Sequence, residues 1–317
     1  MTGTVVSTAD VPVLPGGPAI SPGQLWYWDD GQGEAVAIDT ASGRAGTPIK
    51  VSDPAGSPYG SPKTVAAGSS GVWATNSNGH SVDLIDPATN KIGGRIKLKP
   101  PASAGISKPV VPYGLAVDGD TLWVTDFDQG LLLKVSVKDE KVTQVVTGLG
   151  HASAVIVGFG SVWVYEFREG SIARLDPSTG KVQATIPVAN GQGTGPCGGC
   201  ANNLAVTADA LWMPLGSGFG VAKIDPTTNA DVATVPLTIV SMGIFADDSG
   251  VWLAGGNGGL DEKALVVRID PASATVTGTM PVPYAINVVR AADGGDLWVG
   301  TAQVMDSGSV VRIHLSN

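Results

Sequence analysis

Leu-Trp or Val-Trp occurs seven times in this chain, at Trp26, Trp73, Trp123, Trp163, Trp212, Trp252 and Trp298, at intervals of 47, 50, 40, 49, 40 and 46 residues. The same syntax follows behind them: "SVDLIDPATNKIGGRIKL", "LLLKVSVKDEKVTQVV", "SIARLDPSTGKVQATIPV", "GVAKIDPTTNADVATVPL" and "LVVRIDPASATVTGTMPV". Short apolar runs broken by polar turns, without a 3.6-residue period, exclude a helical solenoid and leave room for four short strands per repeat. A repeat of 40 to 50 residues built this way is a propeller blade. The sequence therefore predicts an all-β chain, a seven-bladed β-propeller of four-stranded antiparallel blades, with residues 1–317 forming one domain.

In the third repeat "YGLAVDGD" reads as the innermost strand A, "TLWVTD" as B, "LLLKVSV" as C and "KVTQVVT" as the outer strand D. The "DPATNK", "DPSTGK" and "DPTTNA" segments join C to D: Asp bonds backbone amides ahead of it, Pro presets φ, and Asn or Gly accepts the left-handed position. The Trp of each B strand is expected to pack between neighbouring sheets, since an indole buries a large apolar area. Composition agrees. Glycine, 44 of 317 residues, is about double its usual share, and charged residues, at 15%, fall well below the average of about 25%.

The last repeat, "DLWVGTAQVMDSGSVVRIHLSN", supplies only strands through C. At the other end "TVVSTADVPV", residues 4–13, reads like the D strand "TVTGTMPVPY". The N-terminal segment is thus expected to pair with strand C of the last blade, so that no sheet edge is left incomplete there.

These repeats resemble YVTN-type seven-bladed β-propellers, whose typical unit reads "VWVAN", a gap, then "GTVTRIDPATNKVVATIPVG". More distantly the chain resembles the virginiamycin B lyase-like propellers. The likeness runs over nearly the whole chain and implies the fold; propellers host binding proteins, enzymes and scaffolds alike.

The short, uniform C-to-D turns contrast with D-to-A connections of uneven length, "KPPASAGISKPVVPYG", "TGLGHASA" and "ANGQGTGPCGGCANN". Function is expected on the face carrying the uneven loops, around the channel mouth. Ten residues before the Trp, at the start of strand A, stand Lys63, Tyr113, Ser153, Asn202 and Met242, and the "VPY" match adds Tyr284. With Tyr59 and His151 just upstream, Tyr59, Lys63, Tyr113, His151, Asn202 and Tyr284 form a candidate binding set for a small polar ligand. The plainer reading is that polar groups line a water-filled channel.

Three residues after each Trp come Asp29, Asn76, Asp126, Glu166, Leu215, Gly255 and Thr301. Three carboxylates and an amide suit a hard divalent cation such as Ca²⁺ or Mg²⁺. Adjacent blades would hold these positions far apart, however, and an acidic residue capping its own B-to-C loop explains them more simply, so no metal ligand is assigned. The lyase resemblance implies Mg²⁺ with clustered Glu and His near the channel. This chain has only His80, His151 and His314, and none stands with Glu in a matching local motif. His314 takes the place of a turn Asp and reads as structural, and His80 reads as a solvated loop residue. His151 alone is a candidate general acid or base.

Cys197 and Cys200, the only cysteines, sit in "GPCGGC" without a following helix or a second pair. A short disulfide stapling the loop is the expected state, and it implies an oxidising compartment, secreted or periplasmic. A net charge of -9 and the lack of a Lys/Arg cluster weigh against nucleic acid. No apolar stretch reaches the roughly 18 to 20 residues of a membrane span, and the N-terminus lacks the features of a signal peptide. The function expected from sequence is extracytoplasmic binding of a small polar ligand at the channel mouth, or of a protein partner on the loop-bearing face. The alternative is a lyase or lactonase using His151, Tyr113 and Lys63, metal-assisted or not; a sensor domain cut from a larger protein is a third reading.

Overall fold

The computed structural model describes residues 1–11, 18–29, 33–51, 64–188, 204–215, 220–247, 249–257, 261–290, 295–304 and 307–316. After β1 (Gly3–Val11), strands follow in fours. The first set is β2 (Ala19–Ser21), β3 (Gln24–Asp29), β4 (Glu34–Asp39) and β5 (Ile49–Lys50), and the second is β6 (Val65–Gly68), β7 (Gly71–Asn76), β8 (Ser81–Asp86) and β9 (Lys91–Lys97). The third is β10 (Leu115–Asp118), β11 (Thr121–Asp126), β12 (Leu131–Ser136) and β13 (Lys141–Val146); the fourth is β14 (Ala152–Gly158), β15 (Ser161–Glu166), β16 (Ser171–Leu175) and β17 (Val182–Pro187). The fifth is β18 (Ala205–Val206), β19 (Leu211–Pro214), β20 (Val221–Asp225) and β21 (Ala230–Val235); the sixth is β22 (Val240–Asp247), β23 (Gly250–Gly256), β24 (Leu265–Asp270) and β25 (Thr275–Pro281). The last repeat gives β26 (Ala285–Arg290), β27 (Asp296–Val304) and β28 (Ser307–Leu315).

Each set of four is one antiparallel sheet in simple sequential order, and β1 completes the seventh as β1-β28-β27-β26. Pairing of β1 with β28 runs from Gly3 opposite Leu315 to Val11 opposite Gly308, with a bulge between Val5 and Ser7. The expected closure of the last sheet by the N-terminal segment is therefore present. Among the described residues the only helix is a 3-10 turn at Ala102–Ala104, and no helix is long and apolar enough to cross a membrane. Contacts group the chain into two compact units: Met1–Pro15, Phe167–Ile172 and Ala184–Asn317 form one, Gly16–Glu166 and Ala173–Gln183 the other.

Strand burial follows position in the sheet. All six residues of β15 are buried, as are five of six in β11, because these B strands are covered on both faces. The outer β9 instead reads exposed and half-buried in alternation, as a strand with one wet face must. All seven repeat tryptophans are buried to 2% exposure or less. In the second unit Trp26 and Trp28 pack with Val65, Val72 and Ile85 of the second sheet, Trp73 with Leu115 and Leu133 of the third, and Trp123 with Val155 and Val162 of the fourth. In the first unit Trp212 packs with Val251 and Leu253, and Trp252 with Val288 and Val299. Each of these indoles thus wedges against the following sheet, where truncating it to Ala would cost about 3–5 kcal/mol.

A cation covers most of these wedges on the neighbouring strand. Lys134, Lys223, Arg268 and Arg312 stand directly opposite Trp123, Trp212, Trp252 and Trp298 in the strand register. Their charged groups lie 5.3, 5.5, 5.5 and 5.2 Å from the ring centroids, and Arg174 lies 5.1 Å from that of Trp163. Each such contact contributes about 0.5–2 kcal/mol according to its desolvation. Two of the lysines also reach the next sheet: Lys134 Nζ donates to the Pro177 carbonyl at 2.7 Å and Lys223 Nζ to that of Pro271 at 2.7 Å. The "DP" turn is therefore a docking point for the preceding blade as well as a chain reversal.

Within these turns the Asp carboxylate takes the amides ahead of it, as expected. Asp176 accepts from the backbone and hydroxyls of Ser178 and Thr179, which hold its carboxyl down at about 2. The left-handed position falls to Asn90, Gly180 and Asn229, but also to Glu140 (φ 52°) and Ala274 (φ 50°), which have neither glycine's freedom nor an Asx side chain.

Three outcomes are expected. Removing residues 1–11 strips strand β1 from its sheet, so soluble yield and Tm should both fall clearly, measured by expression and calorimetry. Ala274→Gly relieves a left-handed alanine at the expense of chain entropy and should stabilise by about 0.5 kcal/mol in urea titration. Because the folded pKa of Asp176 lies below its unfolded value of about 3.9, its charge stabilises above pH ~4, and that contribution is lost as pH falls toward 2. The Tm gap between parent and Asp176→Asn should accordingly be widest above pH 4 and narrow below it.

Candidate functional site

The longest described D-to-A connection, residues 98–114, crosses the loop face of the second unit before entering β10. Polar groups from two B-to-C loops fasten its last part. From the second sheet, Ser77 Oγ donates to the Pro112 carbonyl at 3.1 Å and His80 Nδ1 bonds the Val110 carbonyl at 2.8 Å. From the third, Asp126 Oδ2 accepts the Val111 N–H at 2.9 Å and Gln129 Nε2 donates to the Pro109 carbonyl at 3.0 Å. His80 is thus half-buried and structural, which corrects its reading as a solvated loop residue.

The strapped loop ends at Tyr113-Gly114. Thr125 Oγ1 accepts the Gly114 N–H at 2.8 Å and donates to the Ser153 carbonyl of the fourth sheet at 2.6 Å. A Cβ on Gly114 would stand 2.3 Å from that carbonyl, so only glycine fits beside Tyr113. Gly130, at φ 60°, closes the neighbouring B-to-C loop, where a Cβ would meet the Leu149 carbonyl at 2.0 Å. These two close approaches lock the loops that carry Tyr113, Phe127 and His151.

The three side chains form a row. The rings of Tyr113 and Phe127 stack at 5.1 Å between centroids, and Phe127 meets the His151 imidazole at 5.2 Å, tilted by 57°. All three are half-buried. His151 has a left-handed backbone (φ 45°), and the preceding Gly150 N–H is held by Glu166 Oε1 at 2.9 Å. Tyr113 and His151 were expected from the sequence; Phe127, the ring that joins them, was not. Its signal was an aromatic set in the otherwise polar turn "DFDQG".

Of the other expected binding residues, Tyr284 lines a cleft beside β1 and β28. Tyr59, Lys63 and Asn202 lie outside the described residues, as do Cys197 and Cys200. Ser153 does not face a ligand: it is fully buried, and its hydroxyl donates to the Tyr165 carbonyl at 3.1 Å.

Of the positions three residues after the Trp, Asn76, Asp126 and Glu166 are engaged with backbone amides of loops. Asp126 Oδ1 accepts the Gln129 N–H at 3.0 Å, Asn76 Oδ1 the Gly79 N–H at 2.7 Å, and Glu166 the Gly150 N–H. Among the described residues no three His, Cys, Asp or Glu side chains converge as a metal ion would need. His314 bonds Asp296 through Nδ1 at 2.8 Å, in keeping with its structural reading. Burial pushes the Asp296 carboxyl up, but the bonds and charges of His314 and Arg312 outweigh this and leave it below the usual carboxylate range.

No family model matches the chain, and no curated protein matches it. Solved structures do. A structure titled "Streptogramin B lyase structure" aligns with a TM-score of 0.68 at 16% identity over 99% of this chain and 97% of the other. The Pan2 WD40 domain of Neurospora crassa aligns with a TM-score of 0.72 at 12% identity over 98% and 95%. At these identities the likeness is one of fold alone, and with seven four-stranded antiparallel sheets that fold is a seven-bladed β-propeller.

Proposed function

We propose that this propeller is a binding protein whose Tyr113–Phe127–His151 row receives the flat group of a small polar ligand. The observation that carries this reading is the row itself, with centroids 5.1 and 5.2 Å apart, half-buried on loops fixed in advance. An apolar ring between a phenol and an imidazole offers a stacking surface with hydrogen-bonding groups at both ends, the usual make-up of a small-molecule site. The strapped loop, whose backbone is held by Ser77, His80, Asp126 and Gln129, supports the reading further, because ordering done in folding is not charged against binding. The proposal takes residues 1–317 as one domain acting outside the cytoplasm. The Cys197 and Cys200 pair, read as a staple, is its support for that compartment.

A second reading is a lyase or lactonase with His151 as general acid or base. It draws on the fold shared with the streptogramin B lyase and on the placement of His151, in a left-handed turn tied to Glu166. Asp126 and Glu166 are both engaged by backbone amides and offer no ready metal cradle, so no step is routed through a cation.

A thermal-shift screen of aromatic and heteroaromatic metabolites on the parent and on Phe127→Ala tests the first reading. A ligand at ~100 times its Kd adds about 2.7 kcal/mol of stability, which appears as several degrees of Tm. At least one compound should produce this shift in the parent and lose most of it in Phe127→Ala. Equal shifts in both proteins, or none in either, would discard the row as a binding site. Chromatography of a streptogramin B incubated with the parent and with His151→Ala tests the second: His151-dependent disappearance of the compound supports cleavage, and its persistence rejects it.

A further inference from the structure

The first unit contains a cleft of about 540 Å³ that belongs to neither reading. One wall is the sheet completed by β1 and β28; the other is the end of β25 and the connection from Met280 to Tyr284. Its floor is apolar, with Met280 and Val282 each 7% exposed and Ile313 2%, beside the half-buried Val311. Around the rim stand the hydroxyls of Thr8 and Tyr284 and the amide of Gln303.

Two features separate this cleft from an ordinary groove between strands. None of its fifteen lining residues has a charged side chain, in a protein with 47 Asp, Glu, Lys and Arg residues. A non-polar floor with neutral donors and acceptors above it favours an uncharged ligand, because a cation would leave its water with no opposite charge to meet and an anion would meet only the half-buried Met1 terminus. The second feature is Tyr284, held at φ 61° by its N–H to the Asp261 carbonyl at 2.8 Å and by the Ala302 N–H to its own carbonyl at 3.0 Å. A left-handed tyrosine persists only where its surroundings impose it, and such outliers gather at ligand clamps. The volume falls within the ~300–1,000 Å³ range of small-molecule sites.

We propose that this cleft binds an uncharged amphipathic small molecule, its apolar body on Met280, Val282 and Val311 and its polar groups toward Thr8, Tyr284 and Gln303. The site is independent of the Tyr113–Phe127–His151 row.

Nile red, an uncharged solvatochromic dye, is the probe. Val5 (59% exposed) and Gln303, both at the cleft and on the surface, can be changed without disturbing the core. Parent protein should bind the dye saturably at one site, with blue-shifted emission. Val5→Lys, which puts a charge at the rim, and Gln303→Trp, which fills the opening, should each raise Kd at least ~10-fold with unchanged Tm. Phe127→Ala should bind as the parent does, which keeps this result separate from the fate of the aromatic row. The anionic dye 1-anilinonaphthalene-8-sulfonate should bind at least ~10-fold more weakly than Nile red. Failure of the parent to saturate, parent-like affinity in Val5→Lys or Gln303→Trp, weakened binding in Phe127→Ala, or equal affinity for the anionic dye would each overturn the proposal.

Discussion

The buried indole of each repeat is the contact on which this architecture rests. An antiparallel sheet of four short strands has too little apolar surface of its own to be stable, so its stability has to come from the sheet beside it. Placing the largest side chain on the doubly covered B strand does this, and in the third, fifth, sixth and seventh sheets a Lys or Arg opposite it on strand C covers the ring. In Lys134 and Lys223 the same ammonium bonds a proline carbonyl in the next sheet's turn, so one residue serves both the wedge and the junction. Proline suits that turn doubly: its fixed φ sets the chain reversal, and the carbonyl it presents is held in a defined direction. The recurrence of "DP" in the sequence thus reflects packing between sheets as much as local turn chemistry.

On the loop face, residues with the chemistry of catalysis serve as fasteners. Ser77, His80, Asp126 and Glu166 each bond backbone groups of a connection that would otherwise have unpaired N–H and C=O groups at the surface of a buried sheet. Beside those engaged polar groups stand the half-buried rings of Tyr113, Phe127 and His151. The aromatic row is therefore a product of loop anchoring: the straps that fix residues 109–113 also fix Tyr113, and the tight turn at Gly130 fixes Phe127.

How far the sequence could be read depended on whether a feature repeats. The Trp period, the C-to-D turns and the missing last strand all repeat or interrupt a repeat, and the third sheet lies within a residue or two of its expected strands, with β11 at Thr121–Asp126. The site does not repeat. Tyr113 and His151 were accessible because counting back from the Trp marks the strand entrance, but Phe127 lies one position beyond the residues that were counted. No spacing rule links an aromatic in a B-to-C turn to a tyrosine fourteen residues earlier and a histidine twenty-four residues later. Only the antiparallel return of β10 onto β11 brings the first two together. Three of the cations over the indoles were legible in principle: Lys134, Arg174 and Lys223 each follow their Trp by eleven residues.

Asn76, the one amide among the acidic positions that follow the Trp, shows why those positions are local devices. Its Nδ2 donates to the Val51 carbonyl at 2.8 Å and to Asp83 Oδ2 at 3.1 Å, while its Oδ1 caps the loop through Gly79. Asp83 is fully buried and also accepts from Ser81 and Arg95. A carboxylate at position 76 could still cap the loop, but it would stand against Asp83 as a second negative charge about 3 Å away, and neither could remain ionised without cost. In the third sheet the residue equivalent to Asp83 is Leu133, so Asp126 has no such neighbour, and its carboxyl group accepts from Val111 and Gln129. At these two positions the choice between Asn and Asp follows what the sheet holds beside them: a buried carboxylate next to Asn76 and a leucine next to Asp126.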